Sequence, residues 1–513
     1  MINDQIVNNP TYMLIGEAPG EEEEKQGQPF VGRSGQLLDR LLAKVGIDRK
    51  ECYVTNVIQN RPPNNNFAIY YEDSQRKTPK AELRQAWDEL RGKVKRVNPK
   101  FIITFGGESL KALTGREGIE KWRGSLFEVD NIKGLGTFHP SALMRGGGRG
   151  HWYLPATLLD LYKVADVIKS NLPITKPKIT ITKDPQTINN FLKLTADLQM
   201  PCAFDIETSY VKGERITCIG FSAKIDESVV VDLTDNFDWL ECVDVINKWM
   251  TNPDIKWIAQ NGYGFDINTI RRVWGFKPND LYLDTMVAHH VLHPELPHDL
   301  GFLTSQYTRI PYYKHWIKTD NWQKFLEYNG YDACATLIAG KHMNNELIKR
   351  NLLSLYFEYY HPLLPSLTYM NWEGIKIDKD YQKELRKELK EEIKSTQKLI
   401  DEVVKSHTNV DNIVRRVRRL RLFEVAMRKT IKFRNHKTGK ITRKRVDSLI
   451  KKTQKKLLDA KTVNVRSSKQ MTDFLYKILK LPKVGKKASA DESTINKLFI
   501  KTGHEFLKTI ISI

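Results

Sequence analysis

Short apolar runs closed by glycine alternate with stretches of helical spacing over the first 170 residues. Tyr12-Met-Leu-Ile-Gly16 and Phe101-Ile-Ile-Thr-Phe-Gly106 have the continuous apolar character of strands buried on both faces. Gln36 to Val45 and Ala81 to Val94 carry apolar residues at three- and four-residue intervals. That alternation predicts an α/β layered domain with a parallel sheet over 1–170. Residues 171–178 read as a linker, because Pro173 and Pro177 interrupt any regular element. From 179 to 350 the pattern changes. Cys202-Ala-Phe-Asp-Ile-Glu207 predicts a strand, and Ile216 to Ala223 and Ser228 to Leu233 predict antiparallel neighbours joined by a turn at Lys224 to Glu227. Residues 351–513 are helix-rich and strongly basic, with clusters at 415–421 and 451–456. Between them, 430–445 alternates around His436-Lys-Thr-Gly439 as a basic hairpin would. The expected fold class is α/β multidomain with a helical, basic C-terminal region.

Composition changes this picture in two respects. Hydrophobic residues make up 40% and charged residues 28% of the chain, which is ordinary for a globular protein. No apolar run approaches the roughly 20 residues of a membrane span, and Met1 to Pro10 lacks a signal-peptide pattern, so no membrane association is expected. The five cysteines lack CxxC spacing, which points to neither disulfides nor structural zinc and makes a reducing cytoplasm the expected compartment. The net charge of +21 is costly in self-repulsion unless the usual partner is a polyanion. Nucleic acid is the natural candidate, although charge does not choose between DNA and RNA.

Asp205-Ile-Glu207 puts two carboxylates on one face of a strand. Downstream stand Asn261-Gly-Tyr-Gly-Phe-Asp266 and Tyr328-Asn-Gly-Tyr-Asp332, whose tyrosine and aspartate share a helical face at i and i+4. Four such acids in one cleft would repel each other unless divalent cations sit among them. Two ions can activate a water and stabilise the departing oxygen of a phosphodiester. The order Asp-x-Glu, Asn-x4-Asp, Tyr-x3-Asp resembles the three motifs of DEDD-type 3′-5′ exonucleases, tyrosine subclass, over about residues 179–345, with Asp284-Thr-Met-Val-Ala between the second and third. The resemblance implies an RNase-H-like sheet and two Mg²⁺ (or Mn²⁺) ions. It assigns Asp205, Glu207 and Asp332 to the metal beside the attacking water, Asp266 to the second ion, Tyr328 to orientation of the nucleophile and Asn261 to the substrate.

His361-Pro-Leu-Leu-Pro, Trp372-Glu-Gly-Ile-Lys-Ile-Asp378, Val463 to Gln470 and Phe474 to Pro482 look like the segments that lead into the thumb of family A (polymerase-I-like) DNA polymerases. Basic helices there, Arg415 and Arg416 among them, are suited to gripping duplex phosphates without reading sequence. No palm carboxylate motif and no basic fingers helix follow before Ile513, so nucleotidyl transfer by these 513 residues is not expected. A fragment, a split-gene product with a separate palm-and-fingers polypeptide, and an exonuclease that lost its polymerase all fit. Phage-type replication enzymes are the architectural analogue, with the host cytoplasm as the compartment if the source is viral.

The first domain carries a second constellation. Gly16-Glu-Ala-Pro-Gly20, Gly27-Gln-Pro-Phe-Val-Gly-Arg-Ser-Gly35, Thr55-Asn56 with Arg61-Pro-Pro63, and Phe138-His-Pro-Ser-Ala-Leu-Met-Arg145 place an acid, an aromatic, an amide and an imidazole on tight loops at strand ends. They could line a pocket for a planar, hydrogen-bonding ligand such as a flipped-out base. The combination resembles the family 4 uracil-DNA glycosylases over about residues 10–165. The resemblance implies that Phe30 stacks on uracil, Asn56 reads its edge, His139 stabilises the departing uracil anion and Glu17 positions or activates water. Members of that family hold an iron–sulfur cluster with four cysteines, one of them just before the Arg-Pro-Pro. Here that position is Asn60, and Cys52 is the only cysteine before Cys202, so no cluster is expected. An active glycosylase and a pocket kept for base or DNA recognition both remain open.

The combined expectation is a proofreading-type 3′-5′ exonuclease serving a family A polymerase system. Its partners would be single-stranded 3′ ends and primer-template duplex. The alternative is a non-catalytic DNA-binding accessory subunit of a split polymerase.

Overall fold

The computed structural model describes residues 2–144, 151–209, 215–234, 239–374, 376, 378–407, 472, 475–476 and 495. Arg145, the clusters at 415–421 and 451–456, the hairpin at 430–445 and the segment 463–470 lie outside the described residues, as does nearly all of 474–482. The chain divides into two units, 1–374 and 375–513. In the second, the described structure is essentially one helix, Lys379–His407.

Unit one contains two sheets. The first has five strands, β1 (Tyr12–Gly16), β2 (Cys52–Asn56), β3 (Phe101–Phe105), β4 (Leu126–Val129) and β5 (Ile132–Thr137), in the order β2-β1-β3-β5-β4. All neighbours are parallel except the β4–β5 pair. Every residue of β1, β2 and β3 is buried, as the continuous apolar runs predict. Alternation at period two sorts their side chains onto opposite faces. Leu14, Val54, Ile103 and Phe105 pack with Leu38 and Leu41 of helix Arg33–Lys44 and with Leu161 and Val164 of helix Tyr153–Ser170. Met13, Ile15, Tyr53 and Ile102 pack with Leu83, Leu90 and Val94 of helix Ala81–Val97. The chain steps from β1 to β2 on one side and returns to β3 on the other, so the crevice at the carboxyl ends of β1 and β3 is a topological switch point.

The N-terminal residues are tied to this sheet. Gln5 pairs with Val54 across β2. The Asp4 carboxylate accepts hydrogen bonds from Tyr53 Oη (2.6 Å), Thr55 Oγ1 (2.6 Å) and Gln59 Nε2 (3.1 Å), and Lys93 Nζ lies 2.7 Å away.

The second sheet comprises β6 (Lys178–Thr182), β7 (Pro201–Ser209), β8 (Arg215–Lys224), β9 (Glu227–Asp232), β10 (Lys256–Ala259) and β11 (Leu283–Asp284), in the order β11-β10-β7-β8-β9-β6. β7, β8 and β9 form the expected antiparallel meander, and β10 runs parallel to β7. This is the mixed sheet that an RNase-H-like domain requires. Phe204, Ile206, Ile219, Phe221 and Trp257 fill one face. The other is covered by the 28-residue helix Trp322–Lys349, whose Cys334, Ala335 and Leu337 pack with Ala203 and Ile258.

The same core cluster takes in Phe138 and Ala156 from the first sheet's domain. Phe138 stacks on Tyr153 at 4.0 Å between centroids, and Trp152 meets Phe302 edge-on at 5.8 Å. Lys163 Nζ donates to the carbonyl of Gly124 and to that of Ser305, and burial pulls its pKa down to about 7. Arg309 Nη2 reaches Asp166 at 2.9 Å. The two domains share a core.

Candidate functional site

The carboxylate site is assembled from β7, the helix Trp322–Lys349 and the loop before that helix. Asp205 and Glu207 leave β7 on the face opposite Phe204 and Ile206, toward that helix. The β7–β8 register shifts just after Glu207. Tyr328 and Asp332, one helical turn apart, face them. Oxygen atoms of Asp205, Glu207 and Asp332 all lie within 4.8 Å of one another, the only such group of three or more possible metal ligands among the described residues. Asp266 opens the helix Asp266–Trp274, and its Oδ1 accepts the amide of Ile206, between the two β7 acids, at 3.2 Å. It is adjacent to the group and not part of it.

Burial and mutual repulsion disfavour ionisation here. Burial, then the charges of Asp332 and Glu207, holds Asp205 well above the usual carboxylate range. Glu207 is pushed up to about 8 by burial and then by Asp332, with Lys314 opposing. Asp266 is likewise raised, chiefly by burial. Converging carboxylates whose ionisation is opposed by burial and by one another are a donor set that fits divalent metal ions.

Residues not singled out in the sequence complete the site. Lys314 Nζ donates to both oxygens of Asp332 at 2.7 Å and to Tyr328 Oη at 3.0 Å. Tyr313 Oη donates a short hydrogen bond to Asp332. Asn329, fully buried, donates from Nδ2 to Asp205 Oδ2 (2.8 Å) and to the Asp205 carbonyl (3.1 Å). A Cβ at Gly220 would come within 2.7 Å of Asn329 Oδ1, so β8 needs glycine there. Asn261 is exposed and adopts φ +55°, its amide donating to Asp284 Oδ1 at 3.2 Å. Asp284 also caps the helix Thr285–Leu292 through the amides of Met286 and Val287. It thus organises the loop that leads to Asp266.

The second site is a cavity of about 470 Å³ at the switch point of the first sheet, lined by Glu17, Phe30, Asn56 and His139 among others. Asn56 ends β2 and is buried, and His139 follows β5. The Phe30 and His139 rings are near-parallel (29°) at 5.6 Å between centroids, and Phe105 braces Phe30 edge-on. Phe30 adopts φ +53°, strained for an aromatic residue, and is held there by its neighbours. A Cβ on Gly35 would lie 1.8 Å from the Phe30 carbonyl oxygen, and one on Gly16 would meet both Asn56 Oδ1 and Phe30. Glu23 fastens the flanking loops by accepting the amides of Gly20 and Gly32, each at 3.1 Å. His139 Nδ1 accepts the Ser141 amide at 3.2 Å, which assigns the ring proton to Nε2. Arg415 and Arg416 lie outside the described residues.

Residues 4–161 match the family model of the uracil DNA glycosylase superfamily, and residues 179–348 match that of the 3′-5′ exonuclease domain of family A DNA polymerases. Over 161 residues the chain is 36% identical to the type-4 uracil-DNA glycosylase of Thermotoga maritima, covering 31% of this chain and 77% of that protein. The chain belongs, through its first domain, to the type-4 uracil-DNA glycosylase family. A second relative of that name, from Saccharolobus solfataricus, is 32% identical over 36% of this chain and 78% of its own length. A DNA polymerase of Bacillus phage SP01 is 24% identical over 317 residues. The match covers 54% of this chain but only 32% of the phage protein, so the chain spans about a third of that polymerase. The arrangement is a glycosylase-family domain followed by a polymerase-type exonuclease domain.

The family's iron–sulfur cluster does not fit this chain. Cys52 is the one thiol of the glycosylase-family domain, and burial pushes its pKa up to about 12, the opposite of a ready thiolate ligand. The other four cysteines are buried in the exonuclease domain. Asp4 and its partners, Gln59 among them, form a polar knot beside Asn60, the position where the family places a cluster cysteine. No described helix is long and apolar enough to cross a membrane.

Proposed function

We propose that the chain removes 3′-terminal nucleotides from DNA by phosphodiester hydrolysis, as the proofreading activity of a family A polymerase system. The observation that carries this reading is the convergence of Asp205, Glu207 and Asp332 within 4.8 Å, beside Tyr328. Asp205, Glu207 and Asp332 would hold one divalent cation and Asp266 would help hold a second, with Mg²⁺ or Mn²⁺ the ions of matching oxygen preference. Bound there, such cations supply water activation and stabilise the departing 3′-oxygen. Asn329 fixes the rotamer of Asp205. The Tyr328 hydroxyl, whose oxygen accepts from Lys314, keeps its proton at any working pH because burial and the neighbouring acids push its pKa far upward. It is therefore a hydrogen-bond donor that orients the attacking water or the scissile phosphate and does not itself take up a proton. Asn261, exposed on the loop that leads to Asp266, would meet the strand. The test is Mg²⁺-dependent shortening of a 5′-labelled single strand. The wild type should produce a ladder and Asp205→Ala none, whereas a ladder of wild-type intensity from the variant overturns the assignment.

A specific geometry supports a second activity, uracil excision by the first domain. Phe30 would stack on the base, Asn56 would read its edge, and His139 Nε2–H would donate to the uracil oxygen as negative charge develops there, with Glu17 positioning water. A well-placed donor of this kind is worth about 3–4 kcal/mol of barrier. Uracil-containing single strands should acquire alkali-labile sites with the wild type and lose them with Asn56→Ala. Base binding without such sites would leave recognition as the pocket's role. DNA is the partner on either account, and a separate palm-and-fingers polypeptide would be the partner of the exonuclease. The soluble compartment of DNA replication, the host cytoplasm for a phage protein, is the proposed location.

A further inference from the structure

Beside the carboxylate site lies a cavity that the exonuclease domain does not build alone. It measures about 450 Å³, within the range of small-ligand sites, and its lining includes Tyr328 and Lys314, the second of which is bonded to Asp332. Its walls come from both domains, with Glu120, Lys121 and Trp152 from the first and Asp299, Tyr312 and Ile317 from the second. At its rim an aromatic ladder crosses the domain boundary. Trp122 contacts Tyr312 at 4.2 Å between centroids, and Tyr312 stacks on His315 at 5.9 Å with an interplanar angle of 13°. Arg116 lies 4.3 Å over the other side of Trp122. The walls are held fixed by the shared core and by Arg123, whose guanidinium sits 4.6 Å over Phe302.

We propose that the glycosylase-family domain forms one wall of the exonuclease's strand-binding cleft, and that the occupant is the unpaired DNA strand immediately 5′ of the scissile phosphate. The inference rests on the exonuclease reading of residues 179–348 and extends it to residues of the first domain. Lys121, exposed on its short helix Ile119–Trp122, meets a backbone phosphate, and the half-buried Tyr312, which lines the cavity and is braced by Trp122 and His315, contacts a base with its ring edge. Basic groups tracking phosphates and aromatic faces receiving bases are the two elements of sequence-independent single-strand binding. Continuity with Tyr328 and Lys314 favours a strand over a detached ligand, because the same chain that lies in the cleft must deliver its phosphodiester to the carboxylates.

The experiment compares wild type, Lys121→Glu and Tyr312→Ala on two substrates. One is a 20-nucleotide single strand. The other is the p-nitrophenyl ester of thymidine 5′-monophosphate, which carries a scissile phosphate but no upstream strand. Lys121→Glu should raise KM for the oligonucleotide about tenfold with kcat within about twofold, and should lower the slope of log affinity against log salt by about one. Tyr312→Ala should weaken oligonucleotide binding by about fivefold or more. Neither should change hydrolysis of the ester, and both should melt as the wild type does. Equilibrium binding of the labelled oligonucleotide in EDTA, read by anisotropy, decides the matter independently of catalysis. If the wild type digests nothing, the exonuclease reading fails, while a tenfold binding loss in Lys121→Glu still upholds the cleft. Unchanged binding and KM in both variants, or equal losses on the two substrates, overturns it.

Discussion

Replacing Glu207 with glutamine should make the metal-free protein more stable while abolishing metal-dependent activity. Burial first, and the charge of Asp332 next, raise the Glu207 pKa from 4.5 to about 8. The folded state therefore holds this proton more tightly than the unfolded chain does. The resulting stabilisation is fully present below about pH 4.5 and is lost as the pH rises through 8. The difference, 8 − 4.5 = 3.5, at about 1.4 kcal/mol per pKa unit gives a ceiling of about 5 kcal/mol at alkaline pH. The titrations of this cluster are coupled, so the gain from removing the Glu207 charge falls below that ceiling, on the order of 2–3 kcal/mol. At about 2–4 °C per kcal/mol for a domain of this size, that is a rise of roughly 4–12 °C in Tm. The assay is a thermal melt from pH 5 to 9 in EDTA, repeated with Mg²⁺. At pH 8.5 in EDTA the variant should melt above the wild type, and the gap should close by pH 5. Mg²⁺ should raise the wild type and leave the variant unmoved. A variant that melts at or below wild type at pH 8.5 in EDTA refutes the picture of a charge cluster that needs cations.

Arg123→Leu should destabilise unit one by about 3–5 kcal/mol, because Asp160, paired with Arg123 at 1% exposure on both sides, would stay buried without its guanidinium partner, keeping the Thr137 hydrogen bond and the charge of Lys163 nearby. Arg123→Leu with Asp160→Leu should recover most of the loss in denaturant melts, and a single variant that unfolds at the wild-type midpoint contradicts the argument. Asp4→Ala should cost about 2–3 kcal/mol and expose the N-terminal residues to proteolysis, since it removes acceptors from Tyr53, Thr55 and Gln59 together with the partner of Lys93. Burial works to raise the Asp4 pKa, but Lys93, Thr55 and Tyr53 together hold it below 3.8. Its contribution is therefore intact at neutral pH and fades as the pH falls below that value, so the gap between wild type and Asp4→Ala should narrow in acid.

Local periodicity carried much of this structure. Two acids at strand spacing, and a tyrosine and aspartate at helical spacing, declare a shared face from the sequence alone, and β7 and helix Trp322–Lys349 present them so. The continuous apolar runs of β1 and β3 likewise announce strands covered on both sides. What remained hidden depends on contacts between distant segments. Lys314 sits in a loop without periodicity, and only the fold brings it to Asp332. Asn329 lies between two motif residues, yet its role follows from the packing of the helix on β7 and β8, which the signature does not encode. Asp4 belongs to ten residues notable in sequence only for lacking a leader pattern. The docking of the two domains is equally silent in the eight-residue stretch that joins them, because Phe138, Trp152 and Phe302 are unremarkable aromatics until they meet.

That shared core bears on the first site. His139 directly follows Phe138, which is buried against Tyr153 and within reach of Trp152. The loop carrying the His139 imidazole is thereby anchored in packing to which the exonuclease domain contributes Phe302. In a domain with a single cysteine, packing and hydrogen bonding hold Phe30 at positive φ and His139 near-parallel to it. The Asp4 knot secures the β2 side of the pocket, and the interdomain core secures the β5 side. Separating the two domains would therefore loosen the pocket as well as remove a wall of the cleft.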